Sequence, residues 1–155
     1  LVDLIRPTGD HVRLSRPFPA IALTDSRIIG RAGPGYPVEL WDIDRDEPIK
    51  TNFDELNPTA MLPLGADRFI INNIGESGDS LYLVEPDGTV SEAGAARELA
   101  GLRLMRMPIL DDRLVPLGSA STFSDMLADS GTIQLQWLDL DTGTLSQEVS
   151  IDINR

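Results

Sequence analysis

One short pattern, an acidic turn followed by arginine and two apolar residues, occurs three times in this chain. Asp25-Ser26-Arg27-Ile28-Ile29 returns as Ala66-Asp67-Arg68-Phe69-Ile70 and again as Asp111-Asp112-Arg113-Leu114-Val115. The arginines stand 41 and then 45 residues apart. Ahead of them lie Ala20-Ile21-Ala22-Leu23, Met61-Leu62-Pro63-Leu64 and Arg106-Met107-Pro108-Ile109, with Pro63 and Pro108 in one register. Behind them, Leu40-Trp41-Asp42 through Pro48-Ile49 matches Leu81-Tyr82-Leu83 through Thr89-Val90 and Gln136-Trp137-Leu138 through Thr144-Leu145. The matches keep the same order over most of residues 19–151. A unit of this length is one supersecondary module that buries its apolar surface only by stacking on its neighbours.

Each unit is predicted to be all-β. The apolar runs are short and several alternate, as in Leu135, Trp137 and in Val149, Ile151, which is the period of a half-buried strand. Thirteen Gly and eleven Pro punctuate them, with turn signals at Pro34-Gly35, Pro86-Asp87-Gly88 and Asp141-Thr142-Gly143. Four short strands fit each unit: one before the arginine, one starting at it, one carrying the aromatic residue and one after the acidic turn. Two stretches, 93–102 and 121–131, are predicted as short helical insertions, the second stopped by Gly131.

A four-stranded unit of about 41–55 residues resembles a β-propeller blade. The segment Leu40-Trp41-Asp42 resembles the third strand of a WD40 or quinoprotein-type blade, although no Gly-His dipeptide and no strict Trp-Asp repeat is present. The resemblance implies an all-β propeller-type chain with blades at 19–52, 59–92 and 104–151. Residues 1–16 add a half blade, because Pro7 and Gly9 are placed like Pro86 and Gly88. About three and a half blades form an incomplete or open propeller. The remaining blades are expected from the same polypeptide or a second subunit, since propellers close with typically four to eight blades and an open arc leaves the flat faces of its end blades exposed as apolar patches.

Composition narrows the function. The formal charge of −12 repels phosphate backbones and argues against nucleic acid. Absence of Cys and a single His exclude disulfides, thiol catalysis and Cys- or multi-His metal sites. No apolar run is long enough to span a bilayer, and the given residues contain no signal-peptide pattern.

Three constellations carry chemistry. Arg27, Arg68 and Arg113 can ring one mouth of a propeller channel and bind an anionic ligand through bidentate hydrogen bonds; the plainer reading pairs them with the adjacent Asp25, Asp67 and Asp112. Asp42, Asp44 and Asp46 alternate like the start of a calcium loop, yet Glu47 stands where the loop needs glycine, and an acidic hairpin turn explains the same residues. Trp41, Tyr82 and Trp137 suit either a stacking platform or blade-to-blade packing, and packing accounts better for their recurrence. His11 has no Gly-x-Ser-x-Gly partner, and Gly30 to Gly35 lacks the Gly-Lys-Ser/Thr of a phosphate loop.

The expected function is a non-catalytic scaffold whose loops hold a protein or polar ligand, with 93–102 and 121–131 as the places that depart from the repeat. No cofactor is expected beyond the calcium reading. One alternative is part of a secreted propeller enzyme, a hydrolase or quinone-dependent dehydrogenase completed by other blades, which rests on fold analogy. Another is an assembly subunit with mating ends. An extracytoplasmic location, secreted or periplasmic, goes with these readings.

Overall fold

In the computed structural model the described residues are all-β apart from a single helical turn. The structure describes residues 2–5, 9–15, 20–31, 36–52, 56–76, 78–94, 96–99, 101–105, 109, 112–119 and 130–154. Strands β1 (Val2–Ile5) and β2 (His11–Leu14) form an antiparallel hairpin. A first four-stranded sheet follows in the order β3 (Ala20–Leu23), β4 (Arg27–Arg31), β5 (Val38–Asp42), β6 (Glu47–Ile49). The second sheet runs β7 (Pro58–Pro63), β8 (Phe69–Gly75), β9 (Gly78–Val84), β10 (Val90–Gly94). The third runs β11 (Arg103–Leu104), β12 (Leu114–Gly118), β13 (Ser130–Asp139), β14 (Thr144–Leu145). A last strand, β15 (Val149–Asn154), pairs with the first half of β13. All pairings among the described residues are antiparallel, and most join strands consecutive in the chain through short turns; β12 and β13 lie farther apart, and β15 pairs with β13 across β14. No sheet closes on itself among the described residues.

The sheets stack face to face because their central strands are apolar on both sides. Ile28 and Trp41 lie opposite each other on β4 and β5 and face the hairpin residues Leu4, Val12 and Leu14. One residue on, Ile29 and Leu40 face the other way and meet Phe69, Ile71 and Val84 of the second sheet. Ile70 and Leu81 face onward again, to Val115, Leu117 and Leu138 of the third. Period-two alternation thus sends successive residues of one strand into two different cores. Ile28, Ile29, Leu40, Phe69, Ile70, Ile71, Leu81, Val115 and Leu117 have no exposed surface, each worth roughly 1.5–3 kcal/mol of transfer energy.

Two expectations need correction. The helix predicted over 93–102 shrinks to α1 (Ala96–Leu99). Ala93 and Gly94 complete β10 through a bulge after Glu92, and Leu99, 1% exposed, plugs the core between the second and third sheets. This segment is therefore core rather than a surface insertion. Of the helix predicted over 121–131, residues 121–129 lie outside the described residues, while Ser130 and Gly131 open β13. The aromatic residues are also not equivalent. Trp41 lies opposite Ile28, Tyr82 opposite Ile71 and Trp137 opposite Pro116. The true counterparts of Trp41 are Val84 and Leu138, which lie opposite Phe69 and Val115 and face the preceding layer in the same way. Trp41 is core, Tyr82 packs beside the second core, and Trp137 lies on the outer face of the third sheet, partly exposed.

Candidate functional site

The recurrent arginines all sit at the turn between the first and second strands of a sheet, so the three turns form a row. Arg27 begins β4 opposite Asp42, and its Nη1 lies 3.2 Å from Asp42 Oδ2. The same nitrogen donates to the Ser26 carbonyl and Oγ, both at 3.0 Å. Its Nε donates to the Pro86 carbonyl at 3.1 Å, in the β9–β10 turn of the next sheet. Arg68 repeats the forward reach: Nε donates to the Gly65 carbonyl at 3.2 Å and Nη2 to the Asp112 carbonyl of the third sheet at 3.1 Å. Arg113 is half-exposed and meets two carboxylates of its own sheet, with Nε 3.5 Å from Asp139 and Nη1 3.8 Å from Asp141.

Two of the aspartates that precede these arginines, Asp67 and Asp112, bond to the sheet before their own. They reach backward. Asp67 accepts from the Ser26 backbone N–H at 3.1 Å and from Ser26 Oγ at 2.7 Å, across from the second sheet to the first. Asp112 accepts from the Gly65 N–H at 3.1 Å, from the third sheet to the second. Ala66 and Asp67 both hold positive φ, 56° and 58°, a left-handed pair that aims the carboxylate and costs of order 1 kcal/mol per residue. Burial opposes ionisation of Asp67, but hydrogen bonds from Ser26 and Thr24, with the Arg27 charge, more than offset it and hold the carboxyl below its usual range. These turns enclose a cleft of about 270 Å³ lined in part by Thr24, Asp25, Gly65, Asp67, Ile109 and Asp112. Its walls are acidic, and the three guanidinium groups do not converge on it.

The acidic turn at 42–46 is likewise tied into the fold. Asp42 Oδ1 accepts from the N–H groups of Asp44 and Arg45 at 3.0 and 3.1 Å, while its Oδ2 faces Arg27. Asp46, with φ of 52°, turns its carboxylate to the N–H and Oγ of Ser15 and to Trp41 Nε1 at 3.2 Å. Asp42, Asp44 and Asp46 do not gather round one point, and no group of three acidic or histidine side chains able to hold a metal occurs among the described residues.

A second polar cluster escaped the sequence reading. Asn72, 2% exposed, donates to Thr59 Oγ1 at 2.9 Å and Asp79 Oδ2 at 3.1 Å, and accepts from the Leu104 N–H at 3.2 Å. Asp79 also meets Arg103 at 3.0 Å. The cluster joins the second sheet to β11. The only sequence signal for it is the polar pair Asn72-Asn73 ending an apolar run. No protein-family model and no curated protein matches the chain. No helix among the described residues is long and apolar enough to cross a membrane.

Proposed function

We propose that this chain is a rigid, non-catalytic interaction scaffold of propeller-type blades, with its inner strands β3, β7 and β11 toward the axis and its loops available to a protein or polar ligand. One observation carries this reading: the same turn bonds each sheet to the next. An aspartate reaches back and an arginine reaches forward at the junction of the first and second sheets and again at that of the second and third. A repeated junction relates successive sheets by a similar rotation, which is how a propeller is generated. The hairpin supports its assignment as the outer half of a further blade. Ser15, after β2, meets the β5–β6 turn at Asp46, just as Lys50, after β6, is packed against the β9–β10 turn at Gly88. The arginines serve the junctions in this reading, and anion binding is not assigned to them.

Distances between spin-label pairs test it. One pair, at Asp25 and Arg113, reports the inner turns of the first and third sheets. The other, at Asp44 and Thr142, reports their outer turns. Fanned blades give a shorter inner than outer distance, both narrowly distributed. Equal distances refute the propeller, and broad distributions refute the rigid scaffold.

A further inference from the structure

The third sheet departs from the other two at its outer edge. In the first sheet the fourth strand is β6, three residues long and carrying Glu47 and Pro48. In the second it is β10, interrupted by a bulge between Glu92 and Gly94. The hairpin's outer strand β2 carries His11 and Arg13. Short length, proline, bulges and charges are the devices that stop a sheet edge from pairing with another chain. Strand β15 has none of the first three. It is six residues long, pairs with β13 over six consecutive positions without a register shift, and has one charged residue, Asp152. Among the described residues β15 pairs with β13 alone, so every second N–H and C=O along its other side faces outward.

The ribbon of β13 and β15 also has two unlike faces. Ile133 lies opposite Ile151 and Leu135 opposite Val149, which puts these four side chains on one face. Val149 and Ile151 are 45% and 46% exposed. The other face is polar, with Thr132 bonded to Asp152 and Gln134 and Ser150 to Glu148.

We propose that the free edge of β15 is a dimerisation site that pairs antiparallel with β15 of a second copy about a twofold axis at Ile151. The edge is self-complementary in that register, as an isologous contact requires. Ile151 faces its own copy, and Ser150 faces Asp152 of the second copy, so no like charges are opposed. The two ribbons become one four-stranded sheet whose apolar face is continuous. The −12 charge on each copy opposes the approach, so added salt strengthens the dimer by screening. This site is independent of the blade reading above.

The test is the mass of the intact chain by light scattering over a concentration series, with three variants. The expected species at high concentration has twice the 16.9 kDa of the chain. Ile151→Lys sets two like charges on the axis and shifts the species to monomer. Ser150→Lys faces Asp152 twice and lowers the dimer Kd several-fold. The chain has no cysteine, so Ile151→Cys gives one disulfide-linked dimer under mild oxidation, while Ser150→Cys, which faces Asp152, does not. A monomer at every concentration overturns the proposal. A dimer that cross-links equally through position 150, or that Ser150→Lys leaves unchanged, overturns it as well. Far-ultraviolet circular dichroism of each variant identifies any that fails to fold, and the remaining variants then decide.

Discussion

An arginine holds two elements together only when its donors meet acceptors on both. Arg27 does so, with Asp42 behind it and the Pro86 carbonyl ahead. Arg113 has no sheet ahead of it among the described residues and is half-exposed beside Asp139 and Asp141. Arg27→Ala is therefore expected to cost about 1–3 kcal/mol, the scale for hydrogen bonds to a charged group, and Arg113→Ala about 0–1 kcal/mol, the scale of exposed ion pairs; urea unfolding measures both. Asp67 adds a pH signature. Its folded pKa is depressed, so its contribution is fully present above the unfolded carboxylate value of about 3.9. It is lost as pH falls through the folded value. The stability gap between the wild type and Asp67→Asn should thus narrow as the pH is lowered from 7 to below 4, and an unchanged gap would show that the carboxylate charge plays no part. The recurrence of these residues was legible in the sequence. Their partners were not, because Asp67 reaches 41 positions back and Asp112 reaches 47. Adjacent Asp and Arg in a sequence suggest a pair, but the left-handed turn at Ala66 and Asp67 sends the two side chains to different sheets.

Strand positions were readable because alternation and turn residues mark them locally. The helix expected over 93–102 is cut to the turn Ala96–Leu99: Leu99 fills the seam at Leu81 and Val115, and Gly94 and Gly101 weaken any longer helix. The turns between third and fourth strands show how an element's role depends on its neighbour. Gly88 and Gly143 occupy corresponding turns, with φ of 93° and 66°. An added Cβ at Gly143 meets nothing within 4 Å, whereas at Gly88 it would collide with the Lys50 carbonyl of the preceding sheet. Gly143→Ala should cost about 1–2 kcal/mol, the left-handed penalty alone. Gly88→Ala pays that penalty and must also push the first and second sheets apart. The larger loss should appear in its denaturation midpoint, and amide exchange should be faster in both β6 and β10. Equal losses for the two variants would mean that the contact at Lys50 relaxes at no cost.

Layering follows from strands that are apolar on both faces, and that much the sequence displayed in Arg27-Ile28-Ile29 and Arg68-Phe69-Ile70-Ile71. Which residue faces which layer was not legible, because a one-residue offset in register exchanges the two faces. The equivalence of Trp41 with Trp137 that the repeat suggests fails on that point, and its failure is useful, since the two tryptophans report opposite ends of the stack. Trp41 is buried between the hairpin and the first sheet, and Trp137 is partly exposed on the third. Each layer's core contacts are made with its immediate neighbours, so stability is close to a sum of seam energies, as in repeat proteins. Ile71 lies in the seam between the first and second sheets, and Leu117 in that between the second and third. Truncation of either to alanine costs about 2–5 kcal/mol, but at different places. With Trp137→Phe as background, so that Trp41 alone reports, Ile71→Ala should move the fluorescence transition to lower denaturant more than Leu117→Ala does. With Trp41→Phe as background the order should reverse. Coincident transitions for both reporters in both variants would instead make the whole chain one cooperative unit, and the seam-by-seam account would fall.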